Sequence, residues 1–385
     1  MLATPPWKLP TDLPWHVLTS PLEKWAVQPS FVIGEYLFLL CAAASLWHAL
    51  SQGPERRRHL LAWFAALIAG TANDMFFMAL PLVDNFWQAQ ATIMLTPRLP
   101  LYIPCVYICF MYLPLVSVWR LGLAPLPRAA LTGLCASVFY APYDIVGAKF
   151  LWWTWHDTDR PIANRLLGAP IGSTLWIITF TATFAWLLNR VIDKDPAVSR
   201  RTAAKALLLV AACSSVLMVV QMTVLQQLDG GVPGLRGLLV AVALYGVIAF
   251  RGLRLARPAP RPGDGALLRL LVAYFAVLVL VMAVFDPGTH RNTSLHQTYG
   301  ACHVQAKDIS GNTRYKFLCA EDFDEDFTFA CVGTLPKEGS EWYTVCGRPH
   351  QRFAAHLAGV AALGALGVFL FAFLLGAGRR RGVAL

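Results

Sequence analysis

Long apolar segments alternate with short polar connections along most of this chain. Nine segments are apolar over roughly the 20 residues that an α-helix needs to cross the hydrocarbon core of a bilayer. The pattern predicts an all-α polytopic membrane protein, with the seventh segment the shortest. The predicted spans are Phe31–Leu50, Leu60–Val83, Leu99–Trp119, Ala129–Phe150, Ala169–Leu188, Ala206–Gln226, Gly237–Phe250, Leu267–Phe285 and Phe353–Leu375.

Basic residues are sorted to one side of these segments. The connections after the first, third, fifth and seventh segments, together with the C-terminus, hold 18 of the 32 lysine and arginine residues. By the positive-inside rule these parts face the cytoplasm, which places the N-terminus outside and the C-terminus inside. Met1–Ser30 has no short apolar core near its start, so we expect no cleavable signal peptide.

The same pattern predicts a division of the chain into a membrane bundle and one extracytoplasmic domain. A hydrophilic segment separates the last two spans and lies outside by the predicted orientation. The predicted units are an extracytoplasmic tail at 1–29, an eight-helix bundle at 30–285, the extracytoplasmic domain at 286–351, a final helix at 352–378 and a cytoplasmic tail at 379–385.

Composition favours a membrane protein over a soluble one, with 57% hydrophobic and 14% charged residues. A net charge of +10 suggests nucleic-acid binding in a soluble protein. Here much of the charge lies in cytoplasmic loops, where topology and anionic headgroups account for it. Membrane lipids are therefore the predicted partners, and nucleic acid is not. No phosphate-binding, nucleotide or zinc-protease motif is present, so no cofactor or metal is predicted.

The cysteines fall into two groups. Five lie in predicted spans, where they act as small packing residues. The other four lie outside the cytoplasm, where an even number in a small domain predicts two disulfides, with a zinc site as the alternative. These four are Cys302, Cys319, Cys331 and Cys346. β-branched and aromatic runs at 327–332 and 342–346 predict that this domain is rich in strands.

Ionisable side chains inside the predicted spans are candidates for function. Glu35 lies in the first span, Asp74 beside Asn73 in the second, and Asp144 beside Tyr143 in the fourth. The predicted orientation places the three carboxylates at similar depth, in the outer half of the membrane. An isolated carboxylate there costs several kcal/mol unless it is paired or neutralised. We predict that the three converge on one pocket, with Asp144 and Asp74 as an acid/base pair and Glu35 beside them.

The loop after the fourth span carries further titratable residues. His156 is a candidate proton shuttle, Arg165 a candidate anchor for a polar headgroup, and Trp155 a candidate ligand contact. Asp157 and Asp159 complete the predicted ligand-binding set, and with His156 they form a possible metal site. An alternative interpretation is purely structural: the buried acids pair with Lys149, Arg98 or Arg165 and hold the helices together.

One local resemblance adds a class of ligand. Asp144, Trp153-Thr154-Trp155, Asn164-Arg165 and Gly168-Ala169-Pro170 at a span–loop–span junction resemble membrane-embedded carotenoid-biosynthesis and lycopene-cyclase-type proteins. Ile171-Gly172-Ser173-Thr174 stands where the cyclases have paired glutamates. The resemblance implies an apolar lipid or isoprenoid ligand.

Three functions are consistent with these observations. The first is a membrane enzyme that acts on a lipid or isoprenoid in an outer-half acidic pocket. The second is an ion- or proton-coupled transporter, which predicts polar pathway residues in both halves of the membrane. The third is a non-catalytic receptor or assembly factor, which predicts that the surface of the disulfide domain matters more than the buried acids.

Overall fold

The computed structural model describes residues 17–80, 86–156, 160–256, 262–308, 311–321 and 326–376. The helices in this part of the chain are α1 Pro21–Val27, α2 Pro29–Leu50, α3 Arg56–Ala79, α4 Tyr102–Trp119, α5 Pro125–Lys149, α6 Arg160–Ala163, α7 Ile171–Ile192, α8 Arg200–Gln226, α9 Leu235–Leu255, α10 Gly265–Val284 and α11 Phe353–Leu375. The strands are β1 Phe86–Gln88, β2 Met94–Thr96, β3 Leu99–Pro100, β4 Trp153–Trp155, β5 Arg165–Leu166, β6 Ala169–Pro170, β7 Arg291–Leu295, β8 Gln305–Lys307, β9 Thr313–Tyr315, β10 Phe327–Thr328 and β11 Trp342–Gly347.

Within these described ranges, nine helices are long and apolar enough to cross a membrane: α2, α3, α4, α5, α7, α8, α9, α10 and α11. This number confirms the nine predicted spans and is compatible with an integral membrane protein. The side of the membrane on which each end lies stays a prediction.

Several helix ends differ from the predicted spans. The third and fifth spans begin later than predicted, because the apolar pairs Leu99–Pro100 and Ala169–Pro170 are strands; a short apolar run does not by itself distinguish strand from helix. Helix α3 ends at Ala79, since Leu80 precedes a proline and is extended with ψ 122°. Helix α9 is longer than predicted and continues to Leu255, because arginine is a good helix former.

Helix α4 lies at the centre of the bundle. All of its residues are buried except the partly buried Cys105, as expected for a helix that is apolar on every side. Helices α2, α3 and α5 pack around it, and α8 packs on α3 and α7. The last helix, α11, packs against α5 and α10. Helices α8 and α9 expose long apolar faces, for example at Leu208 and Leu239.

Two connections form a cover over the end of the bundle that carries the disulfide domain. Strand β1 pairs antiparallel with β4, so that Phe86 lies opposite Trp155 and Gln88 opposite Trp153. The chain then continues through α6 and the β5–β6 hairpin into α7. This β1–β4 ribbon closes the space between the helices below it.

The segment between α10 and α11 forms a small strand-containing domain, as predicted. Strands β10, β11 and β7 form one antiparallel sheet in that order, and β8 and β9 form a hairpin. Disulfides join Cys302 to Cys319 and Cys331 to Cys346, which confirms two disulfides among the four predicted cysteines. The other cysteines are free thiols: Cys41, Cys105, Cys109, Cys135 and Cys213.

The first predicted strand of this domain is shorter than its sequence suggested. Only Phe327 and Thr328 pair with β11. The Thr328 hydroxyl accepts a hydrogen bond of 2.8 Å from the Ala330 N–H, which turns the chain locally and ends the strand.

Candidate functional site

A cavity of about 230 Å³ lies between α3, α4, α5, α7 and α8, beneath the β1–β4 ribbon. It exceeds the roughly 150 Å³ apolar cavity that accepts benzene. It is smaller than the pockets of about 300–1,000 Å³ that enclose drug-sized ligands. Nine of its lining side chains are aromatic: Phe77, Phe86, Tyr107, Phe110, Tyr140, Tyr143, Trp153, Trp155 and Trp176. The space suits a small apolar ligand or one end of a longer chain.

Among the described residues, Asp74 is the acidic side chain that lines this cavity. It is 7% exposed, and its carboxylate accepts a hydrogen bond from the Tyr107 hydroxyl of α4. The Asn73 amide donates to the same hydroxyl at 3.2 Å and accepts a bond of 2.9 Å from Ser215 of α8. Three helices thus orient one carboxylate, which is the arrangement expected of a precisely positioned acid or base.

A second polar chain reaches the cavity from α5. Tyr102 donates to Gln88 Oε1 at 2.9 Å, and Tyr143, which lines the cavity, lies near the hydroxyl of Tyr102. Gln88 also lines the cavity and belongs to the ribbon above it. The ring of Tyr143 also packs on that of Trp153, with centroids 5.0 Å apart, so α5 contacts the ribbon at the cavity.

Two tryptophans of the ribbon have unsatisfied donors. Trp153 and Trp155 both line the cavity, and each has a buried indole N–H without a hydrogen-bond partner among the residues described. A buried indole N–H ordinarily has a partner. A ligand oxygen or a water molecule in the cavity would supply the missing acceptor.

Asp144 does not line the cavity but lies one side chain behind it. Asp144 is 1% exposed, and its Oδ1 has no hydrogen-bond partner among the described residues; the Ser173 side chain and the charge of Arg165 lie near its carboxyl group. Ser173 does line the cavity. Asp144 therefore lies beside a lining residue, whereas Asp74 lines the cavity itself.

Glu35 is held by a different part of the protein. Its carboxylate accepts bonds from the Thr92 N–H and hydroxyl and from the Ile93 N–H, at distances from 2.7 to 3.3 Å. Lys24 of α1 lies nearby and is buried. Desolvation lowers the pKa of its ammonium group to about 7, and the negative charge of Glu35 acts in the opposite direction. The structure thus separates Glu35 from the cavity lining and binds it to the loop that precedes β2.

Arg165 and Lys149 contact the disulfide domain. Arg165 Nη1 donates to the Gly168 carbonyl at 2.7 Å and lies 3.5 Å from Asp326 Oδ2, while the Lys149 ammonium contacts Asp326 Oδ1. Burial opposes ionisation of Asp326, but the charges of Lys149 and Arg165 outweigh it and hold the pKa of this carboxyl below its usual range. Desolvation and the charge of Lys149 lower the pKa of neighbouring His350 to about 4.

His156 faces the same domain. It is fully buried, and its ring centroid lies 5.9 Å from that of Tyr315 on β9. Asp157 and Asp159 lie outside the described residues. Within the described ranges, no group of three or more histidine, cysteine or acidic side chains is placed to hold a metal ion.

The structure thus brings Asn73, Asp74, Tyr143 and Trp155 together at one cavity and places Asp144 just behind them. It directs His156 and Arg165 towards the disulfide domain. The sequence prediction did not include Tyr107 and Ser173, because the uncharged candidates in the spans, Asn73 and Tyr143, were those directly beside an acidic residue. Tyrosine hydroxyls in the otherwise apolar helix α4 are the signal that points to Tyr107, since a buried hydroxyl needs a partner.

Comparison with known proteins identifies a family. Residues 14–220 and 263–375 match the family described as "Domain of unknown function (DUF7802)". The matched ranges include Asn73, Asp74, Tyr107, Tyr143 and Ser173, and the unmatched interval contains all of α9. Neither the curated proteins nor the solved structures include a match to the chain. Because the match extends over well more than half of its length, this chain belongs to the DUF7802 family.

Proposed function

We propose that this protein is a multi-pass membrane enzyme that binds a lipid- or isoprenoid-like ligand in the cavity and transfers a proton to or from it. The observation that carries the proposal is the combination of an aromatic cavity with one oriented carboxyl group, Asp74, bonded to Tyr107. Aromatic walls bind an apolar chain, and their ring faces also stabilise positive charge that develops on it.

Each polar group at the cavity has a distinct role in this proposal. Asp74 is the proton donor or acceptor, and the hydrogen bond from Tyr107 orients it. The indole N–H groups of Trp153 and Trp155 bind an oxygen of the ligand. Asp144 lies behind the lining residue Ser173 as a second carboxyl group and positions this side chain.

The binding step is tested by filling the cavity. Met222→Trp places a large ring at a lining position of α8, and Val224→Trp places the same ring on an exposed part of the same helix. We expect farnesol to quench tryptophan fluorescence of the nanodisc-held wild type and of Val224→Trp, and not to bind Met222→Trp. Equal binding by both variants would exclude the cavity as the ligand site.

The chemical step is tested at Asp74. Asp74→Asn keeps the shape of the side chain but does not exchange a proton at working pH, so it should bind the ligand and lose turnover by about 10²–10⁴-fold. Lipids that co-purify with the wild type and with Asp74→Asn are extracted and compared by mass spectrometry. We expect the substrate to accumulate on Asp74→Asn, and identical lipid profiles would reject proton transfer by Asp74.

A further inference from the structure

A second polar cluster lies at the end of the bundle opposite the disulfide domain. His48 lies in the last turn of α2, His59 in the first turn of α3, Tyr112 in α4 and Asp264 at the N-cap of α10. The exposed fractions of His48, His59 and Tyr112 are 5%, 6% and 0%. None of these residues lines the cavity described above.

These side chains form one continuous hydrogen-bonded chain. The Tyr112 hydroxyl lies 2.8 Å from His48 Nδ1 and 3.0 Å from His59 Nδ1. His48 Nε2 lies 3.0 Å from Asp264 Oδ2. At the other end, His59 Nε2 lies 3.9 Å from Oε2 of Glu55, whose side chain is 47% exposed. Hydrogen bonds therefore join Asp264, His48, Tyr112 and His59. The exposed carboxylate of Glu55 lies just beyond hydrogen-bond distance of His59, a gap that a small rotation of this side chain would close.

The chemistry of the phenol limits how protons are distributed. A tyrosine hydroxyl has one proton to donate and two lone pairs. It can donate to only one imidazole, so the other imidazole must carry a proton on Nδ1 and donate it to the phenol oxygen.

The Asp264 end of the chain is fixed. Burial opposes ionisation of Asp264, but hydrogen bonds from His48 and from the Leu267 N–H hold its pKa below the usual range. An ionised carboxylate only accepts hydrogen bonds, so Nε2 of His48 carries a proton.

Two arrangements of an excess proton remain. In the first, His59 is protonated on both nitrogens and donates to Tyr112, which donates to the bare Nδ1 of His48. In the second, the phenol proton has moved to His48 Nδ1 and the His59 Nδ1 proton has moved to the phenol oxygen. The charge passes from His59 to His48, the number of protons is unchanged, and no heavy atom needs to move.

We propose that Glu55, His59, Tyr112, His48 and Asp264 form a proton-transfer chain that takes a proton from water at Glu55 and holds it on the buried histidine pair. Histidine is suited to this role because its protonation changes near neutral pH. The nearby cations are Arg58, whose guanidinium lies 4.0 Å from the Trp119 ring centroid, and Arg120, whose charge acts on Asp264. The carboxylates of Glu55 and Asp264 offset these charges.

Histidine nitrogen-15 NMR of the full chain in nanodiscs tests the proposal. His48→Gln and His59→Gln assign the two rings among the nine histidines. We expect the ring signals of His48 and His59 to change together with pH in the wild type and separately in Tyr112→Phe. Tyr245→Phe is the matched control, since Tyr245 bonds to Gln221 in another part of the bundle.

Unchanged His48 and His59 titration curves in a folded Tyr112→Phe would overturn the proposal. Should Tyr112→Phe not fold, His59→Gln gives a second test. A shared proton requires the titration of His48 to shift by about one pH unit or more when His59 is removed, the size expected for interacting sites. An unshifted curve, or a His48 ring that does not titrate, would show that the cluster is only structural.

Discussion

At the residue scale, the position of a charged residue in the sequence indicates less about its role than the partner that it contacts in the structure. Asp74, Asp144 and Glu35 are all buried carboxylates in helices, yet one lines a cavity, one lies behind it and one binds a loop. Lys149 is the clearest example, because its partner is Asp326, far away in the sequence. A buried carboxylate can serve chemistry or structure, and only its neighbours distinguish the two.

Asp326→Asn should weaken the attachment of the disulfide domain. The substitution leaves the buried ammonium group of Lys149 without its carboxylate, and the partly buried Arg165 loses one anionic neighbour. Removing one partner of a buried ion pair typically costs about 3–5 kcal/mol. The pKa of Asp326 is below its usual range in the folded protein. The stability that its ion pairs contribute is therefore fully present above about 3.9, the pKa of an aspartate in the unfolded chain. It is lost as the pH falls through the folded pKa.

Thermal unfolding of nanodisc-held protein measures this effect. We expect Asp326→Asn to lower Tm clearly at neutral pH and by less at strongly acidic pH, where the wild type also loses the ion pair. Glu338→Gln, at an exposed position of the same domain, should leave Tm unchanged. An equal loss of Tm at both pH values would contradict the electrostatic explanation.

At the element scale, close approaches between helices determine where the cavity side chains lie. Gly70 of α3 packs directly on the ring of Tyr107: a Cβ at this glycine would lie 2.2 Å from Tyr107 Cγ. Gly147 of α5 is similarly close to the ring of Trp153. Glycine at these two positions allows the aromatic rings to pack against a helix backbone while they line the cavity.

Gly70→Ala should therefore damage both stability and binding. The added methyl group forces the Tyr107 ring to shift, and overpacking of this kind typically costs about 1–3 kcal/mol. Displacement of Tyr107 also removes the orientation of Asp74, so farnesol binding or turnover should fall. Gly246→Ala on α9 is the matched control, because nothing lies within 4 Å of its added Cβ. It should stabilise the helix by about 0.5–1 kcal/mol.

Thermal unfolding and the fluorescence assay, carried out on both glycine variants, measure these effects. If Gly70→Ala and Gly246→Ala behave alike, the close packing of α3 on Tyr107 does not control the site.

At the scale of the whole molecule, the two polar sites lie at opposite ends of the bundle. The cavity lies beside the disulfide domain, and the histidine–tyrosine chain lies where α2 ends and α3 begins. Helix α4 contributes Tyr107 to the first site and Tyr112 to the second, with buried apolar residues such as Met111 around them. The predicted orientation assigns the cavity to the outer side and the histidine chain to the cytoplasmic side.

Cysteine labelling in sealed cells tests that orientation. A membrane-impermeant maleimide should label Lys337→Cys in the disulfide domain and leave Arg57→Cys unlabelled until the membrane is opened, both positions being exposed. The free native thiols are buried or partly buried, so their labelling is measured in the unsubstituted protein and subtracted. The reverse pattern would invert the topology and exchange the sides assigned to the two sites.

The sequence by itself determined the number of long apolar helices, the small domain between the last two and its two disulfides. These features depend on local hydropathy and on which cysteines share a compartment, and both follow from the order of residues in the sequence. Only the tertiary structure decided which acid meets the cavity, which cation meets Asp326 and that one tyrosine joins two histidines. Those contacts join residues far apart in sequence, and the rotation of each helix about its axis selects them. Helix rotation depends on packing against all neighbours at once, and a hydrophobic segment surrounded by apolar groups carries little amphipathic signal to reveal it.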